Sequence, residues 1–134
     1  MSLISKGENE KLIAVVRDGE IIKQISFLHQ KIKHTNSKPE EKVQTDAFLQ
    51  LVLQYGYKPE RIKQHVLVKM GSDSREADII VYNDDDCEEP HILVECKKQE
   101  VSEQEFLQAI EQAYSYAYAL PNDVKYVWIT SGIK

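Results

Sequence analysis

Asp78, Glu95 and Lys97 are the residues of this sequence whose types and spacing can do chemistry together. Asp78 sits at the start of the apolar run "ADIIVYN" (77–83), and Glu95-Cys96-Lys97 closes the run "HILVECK" (91–97). Side chains alternate along a strand, so Glu95 and Lys97 share one face while Cys96 points to the other. If the two runs are neighbouring strands, Asp78 lies beside Glu95. Two carboxylates on a rigid sheet, with the Cys96 backbone carbonyl between Glu95 and Lys97, form an all-oxygen platform suited to Mg²⁺, an ion that keeps several of its waters. The ion would stabilise charge on a phosphate and acidify a water, and Lys97 would orient that water or steady the developing charge. The bare Glu-x-Lys spacing also describes an ordinary solvated strand end, and taken alone it favours that plainer reading. The surrounding elements decide between the two.

Those elements follow from pattern. "LIAVVRDGEIIKQI" (12–25) reads as two short strands around an Asp18-Gly19 turn, the N-terminal hairpin. A polar segment leads to Pro39, where "PEEKVQTDAFLQLVLQYGY" reads as a helix. Pro39 suits its first turn, Glu40 and Glu41 favour its positive end, and Gly56 is placed to end it. Val43, Ala47, Phe48, Leu51, Val52 and Tyr55 form its apolar face. Three strands follow, "QHVLVKM", "ADIIVYN" and "HILVECK", separated by the loops "GSDSRE" and "DDDCEEP". A second helix spans "SEQEFLQAIEQAYSYAYAL", with Ser102 and Glu105 in capping-box spacing and Pro121-Asn122 beyond its end. "VKYVWITSG" is the last strand. The expected fold class is α/β, with a core of helix-strand-strand-strand-helix-strand. Its mixed central sheet is flanked by helices and preceded by the hairpin. Residues 1–134 read as one domain: 1–38 are hairpin and lead-in, 39–134 the core, expected to be a fragment of a longer chain.

In that setting the chain resembles the PD-(D/E)XK nuclease superfamily. The spacing Asp78, sixteen residues, Glu95-Cys96-Lys97 carries the likeness. The blocks "PEEKV", "LQYGYKPERI", "ADIIVY", "ILVECK", "QAYSY" and "WITSG" resemble, in order, the N-terminal nuclease domain of type I restriction enzyme motor (R) subunits. The resemblance implies a restriction-endonuclease-like core and Mg²⁺-dependent cleavage of DNA, with Mn²⁺ able to substitute. It implies Asp78 and Glu95 as metal-binding carboxylates and Lys97 as the catalytic lysine. The acid of the first helix would be Glu41 in first place or Glu40, since each projects toward one border of the apolar face. The Gln-x-x-x-Tyr element would be Gln112 and Tyr116, in a stripe with Gln108 beside the apolar line Phe106, Ala109, Ala113, Ala117 and Leu120. Implied partners are DNA, other restriction-modification subunits and a C-terminal ATP-dependent translocase region that these residues do not include. Two departures are visible: Gln44 stands where relatives often carry Arg, and Ala77-Asp78 replaces Pro-Asp. The rival expectation is a catalytically silent DNA-docking or assembly module with the same fold.

Bulk composition is permissive. With 42% hydrophobic and 29% charged residues, the 134-residue chain can build a core and is not a disordered tail. A net charge of −5 gives no global electrostatic case for nucleic acid, so DNA binding would rest on a local groove. Two cysteines, Cys87 and Cys96, make neither a disulfide scaffold nor a Cys-rich zinc site. There is no apolar run of the ~18–20 residues a membrane span needs and no secretory signal pattern, so a cytoplasmic setting is expected. No phosphate-binding glycine loop occurs, and ATP binding is not expected. His29, His34, His65 and His91 share no metal-ligand spacing, and Trp128 reads as core. The acidic loop 84–89 lacks the glycine and ligand alternation of a Ca²⁺ loop and reads as a solvated turn. Lys97 and Lys98, with Lys58, Arg61 and Lys63, are the available phosphate contacts.

Overall fold

The computed structural model describes residues 2–30, 32–34, 39–120 and 124–131. Helix α1 (Leu3–Asn9) is followed by strands β1 (Ile13–Asp18), β2 (Ile21–Phe27) and β3 (Ile32–His34), then by helix α2 (Pro39–Leu53). After a short 3-10 turn (Pro59–Arg61) come β4 (Ile62–Met70), β5 (Asp73–Tyr82) and β6 (Pro90–Cys96), then α3 (Glu103–Ala119) and β7 (Tyr126–Thr130). From α2 onward the order is the expected helix, three strands, helix, strand. Pro121, Asn122 and Gly132, which the sequence reading used, lie outside the described residues.

The central sheet runs β4-β5-β6-β7, with antiparallel pairs as far as β6 and a parallel β6–β7 pair, so it is mixed. α3 supplies the crossover that a parallel pair requires. Ile79, Val81, Ile92, Val94 and Cys96 pack with α2, while Ile80, Leu93 and Tyr82 pack with Ala113 and Tyr116 of α3. The sheet is therefore covered on both faces. α3 begins at the expected cap: Ser102 accepts from the Glu105 N–H, and Glu105 accepts from the Ser102 N–H in return.

The N-terminal part is larger than a hairpin. The Asp18↔Ile21 pairing puts Gly19 and Glu20 in the turn, with Gly19 at φ 63°. β3 adds a third antiparallel strand, and α1 packs on α2. The α1–α2 approach needs Gly7, where a Cβ would lie 2.7 Å from Leu49 Cδ2. Leu12, Ile13, Ile25 and Phe27 cover the side of α2 that faces away from the central sheet, and the Phe27 and Phe48 rings meet edge to face at 5.2 Å. α2 is thus sandwiched, which buries Gln44, Thr45 and Leu49 as well as Val43, Ala47, Phe48 and Leu51 of the expected apolar face. Tyr55, assigned to that face from spacing, is 63% exposed because α2 ends at Leu53, before it. Trp128 is half-buried on the edge strand β7 rather than in the core.

The expected loop "GSDSRE" shrinks to a turn at Gly71 and Ser72, and residues 73–76 extend β5 instead. They are exposed on a two-stranded β4–β5 extension, where no apolar alternation marks a strand. At His65 and Asp78 both strands turn over. Ile62 joins the α2-side core and Val68 the α3-side core, six residues apart where alternation demands one side. Ala77 and Ile79 differ in the same way, two residues apart. His65, which the β4–β5 pairing skips between Gln64↔Ile79 and Val66↔Ala77, has φ 57°, a left-handed backbone uncommon for a non-glycine residue.

Candidate active site

Asp78 and Glu95 lie on adjacent strands, and each carboxyl binds the backbone beside the other. Asp78 Oδ2 accepts the Cys96 N–H at 2.7 Å, and Glu95 Oε1 accepts the Asp78 N–H at 3.3 Å. This cross-stitch sets two carboxyls side by side with Glu95 buried and Asp78 half-buried. Burial, followed by the Asp78 charge, raises the Glu95 pKa from its ordinary 4.5 to about 8, although Lys97 and the Asp78 N–H pull the other way. Burial also raises that of Asp78, and the Glu40 charge adds to the rise against the Cys96 N–H and Lys97. Two acids that both resist ionising mark a place short of positive charge.

Lys97 follows directly. Its N–H donates to the Thr130 carbonyl at 2.9 Å, which continues the β6–β7 pairing past Cys96. Its ammonium acts on Asp78, Glu95 and Glu105. Cys96 packs in the α2-side core, and burial pushes its thiol well above the usual range, so it is no nucleophile. On α3, Tyr116 is buried within reach of the Glu95 and Asp78 charges, and Gln112 Nε2 donates to its hydroxyl. Gln108, two turns before Tyr116, is exposed. Asp78, Glu95 and Tyr116 therefore lie within electrostatic reach of one another, with Lys97 acting on both carboxyls and Gln112 bonded to Tyr116.

The two acids at the start of α2 reach different parts of the domain. The Glu40 charge bears on Asp78 and Cys96, whereas Glu41 bears on His34, toward the N-terminal sheet. Neighbouring helical residues point ~100° apart, and at the start of α2 that step separates the site from the N-terminal unit. Among the described residues no three His, Cys, Asp or Glu side chains converge as a ready ligand cluster. The two carboxyls set side by side are thus those of Asp78 and Glu95, and Glu40 bears on Asp78 through its charge.

A family model described as "Type I restriction enzyme R protein N terminus" matches residues 39–134, well over half of the chain. The chain belongs to that family. The match opens at the first residue of α2, so it takes in every element of the central sheet and leaves α1 and the N-terminal sheet outside. No curated protein and no solved structure matches the chain. For this R-protein N-terminal domain a restriction-enzyme setting is established, and no helix among the described residues is long and apolar enough to cross a membrane.

Two features of the domain were hidden from local spacing. The first is a polar cluster beside Asp78. Gln44 Nε2 donates to Gln64 Oε1 at 2.8 Å and to the Asp78 carbonyl at 3.2 Å, and it lies 3.4 Å from His65 Nε2. His65 Nδ1 meets Glu76 Oε1 at 2.7 Å, and His65 Nε2 meets His34 Nε2 at 3.0 Å. With the proton on Nδ1 of His65, its Nε2 accepts from His34, which leaves the buried His34 Nδ1 without a partner, as observed. Burial, and then the neighbouring His65, lower the His34 pKa. His34 and His65 are 31 residues apart, and no spacing rule joins them.

The second feature is the acidic β5–β6 turn beside three of the cations named as phosphate contacts. Arg61 Nε donates to Asp85 Oδ1 at 2.7 Å, Lys58 acts on Asp85, and Lys63 acts on Cys87. All three cations therefore serve the acidic β5–β6 turn, which folds back beside the start of β4. Asp84 in turn accepts the Glu88 and Glu89 N–H groups, so that turn holds itself by local bonds. Lys97 and Lys98 remain on the carboxylate side.

Proposed function

We propose that this R-protein N-terminal domain is a Mg²⁺-dependent DNA endonuclease domain of the PD-(D/E)XK type, with a restriction-endonuclease-like core. The observation that carries the reading is the Asp78–Glu95 pair: two inward-facing carboxyls, cross-stitched to each other's backbone, with the Lys97 ammonium in electrostatic reach. Surface ion pairs do not bury like charges together, because the desolvation cost is uncompensated unless a cation or a proton is shared.

The donor set fits a hard divalent ion. Asp78, Glu95 and the Cys96 carbonyl offer oxygen only, and with so few protein donors the remaining positions fall to water, as Mg²⁺ prefers. Glu40 would act from farther out through such waters. The bound ion would supply electrostatic stabilisation of the scissile phosphate and a more acidic water. Lys97 would hold that water in line with the phosphorus or offset charge on the phosphate oxygens. The Tyr116 hydroxyl, held by Gln112, would pack against the Glu95 side of the pair and keep its carboxyl from turning away.

DNA is the substrate on this reading, other restriction-modification subunits supply sequence choice, and the translocase region of the R protein lies beyond these residues. The test is cleavage of supercoiled DNA by the parent chain and by Asp78→Asn, each with Mg²⁺ and with chelator. The expected result is cleavage by the parent in Mg²⁺ alone and at least ~100-fold less by the variant. A parent chain that binds Mn²⁺ and DNA yet leaves the backbone intact would move the domain to the silent docking role.

A further inference from the structure

The residues before α2 lie outside the family match, yet they reach the carboxylate strand through a chain of side-chain amides. Gln30, in the turn after β2, pairs with both backbone groups of Gln64: its Oε1 accepts the Gln64 N–H at 2.7 Å, and its Nε2 donates to the Gln64 carbonyl at 2.8 Å. In effect Gln30 adds one rung of sheet pairing to β4, an edge strand of the central sheet. The Gln64 side chain then accepts from Gln44, and Gln44 donates to the Asp78 carbonyl. Gln44 and Gln64 are both almost fully buried, at 4% and 1% exposure. Water therefore cannot substitute for these bonds, and each carries the full cost of being left unmade.

The position of this chain gives it a consequence. It grips β4 and β5 where both strands turn over, next to the left-handed His65. A non-glycine residue at such φ is strained and is held there by its surroundings. The two bonds from Gln30 constrain Gln64, the residue just before His65, and the Gln44 bond holds the Asp78 carbonyl on the neighbouring strand. The turnover also sets the direction in which Asp78 leaves its strand, and so places Oδ2 on the Cys96 N–H.

We infer that the N-terminal sheet positions the carboxylate site, with Gln44 as the positioning residue that transmits its hold to Asp78. This rests on reading Asp78 and Glu95 as the metal-binding pair, and the experiment separates the two ideas. Gln44→Met keeps the side-chain volume and removes the donors, and Gln30→Met does the same at the start of the chain. Hydrogen exchange of the Cys96 N–H, whose acceptor is Asp78 Oδ2, is measured against that of Leu93 on the same strand, and Mn²⁺ affinity is measured by calorimetry.

Exchange at Cys96 is expected to speed up at least ~10-fold relative to Leu93 in both variants, with Mn²⁺ binding ~10-fold weaker in Gln44→Met, the scale seen for residues that orient metal ligands. A merely structural role would speed both amides together and leave the affinity of the folded chain alone. Unchanged relative exchange in both variants overturns the inference. If the parent takes up no Mn²⁺, the metal reading falls, and the exchange ratio still decides the coupling.

Discussion

Replacing Glu95 with Gln will make the metal-free chain more stable than the parent at pH 8 and equal to it near pH 4. The folded-state pKa of Glu95 is raised to about 8 from an ordinary 4.5, so the folded state holds a proton that the unfolded chain has released. Below 4.5 both states are protonated and the group costs nothing. As pH climbs from 4.5 to about 8 the unfolded chain ionises first and stability is lost, and above 8 the full penalty is in place. Asp78, raised by the same burial, adds in the same direction. The amide in Glu95→Gln does not ionise, so the variant escapes this penalty, and its Oε1 can still accept the Asp78 N–H. A tenfold change in proton affinity corresponds to about 1.4 kcal/mol, so the parent forfeits up to roughly 5 kcal/mol across the window, and the variant should melt on the order of 10 °C or more higher at pH 8. Thermal melts of both proteins from pH 4 to 9 in chelator decide it, and parallel curves would mean that the carboxyl pair is not under strain. Gains in stability from deleting a charged pair are what functional sites give when they are disarmed.

Lys97→Ala will lower DNA cleavage by at least ~100-fold while leaving Mn²⁺ affinity within a few-fold of the parent. The lysine sits beside the carboxyl pair without being one of its oxygen donors, so its loss removes an interaction with the reacting groups. Metal affinity should even rise slightly, because a cation that competes with the ion for the two carboxyls has gone. Lys97→Arg should recover little, since a planar guanidinium cannot take the place of a compact ammonium in a site this close to the sheet. Cleavage rates at saturating Mn²⁺, read beside calorimetric affinities, separate the two effects. Loss of Mn²⁺ affinity in step with cleavage would recast Lys97 as a structural counter-charge.

The sequence reading was strongest where one local rule applied. Apolar runs bounded by turn residues located β4, β5, β6 and β7, the Ser102/Glu105 box located the start of α3, and the adjacency of 77–83 and 91–97 brought Asp78 to Glu95. It was weaker where a rule gave two answers, as with Glu40 and Glu41, which only the sandwiching of α2 separates. It failed where the chain breaks its own period. The turnover at His65 and Asp78 reverses the faces of two strands with no mark in composition, so the cluster of Gln44, Gln64, His34 and His65 was out of reach. β3 and α1 were missed because three residues and a polar heptad carry too little pattern, and their existence depends on the exposed side of α2 needing cover.

The central claim is that Asp78 and Glu95 form a divalent-metal site, and a calorimetric Mn²⁺ titration of the chain beside Asp78→Asn and Glu95→Gln tests it most directly. It needs neither DNA nor a partner subunit, so a negative cannot be blamed on a missing component. The account predicts saturable binding by the parent, tighter at pH 8 than at pH 6 because the ion displaces the Glu95 proton, and loss of binding in both folded variants. A folded parent chain that takes up no Mn²⁺ at pH 8, or variants that bind as the parent does, would contradict it.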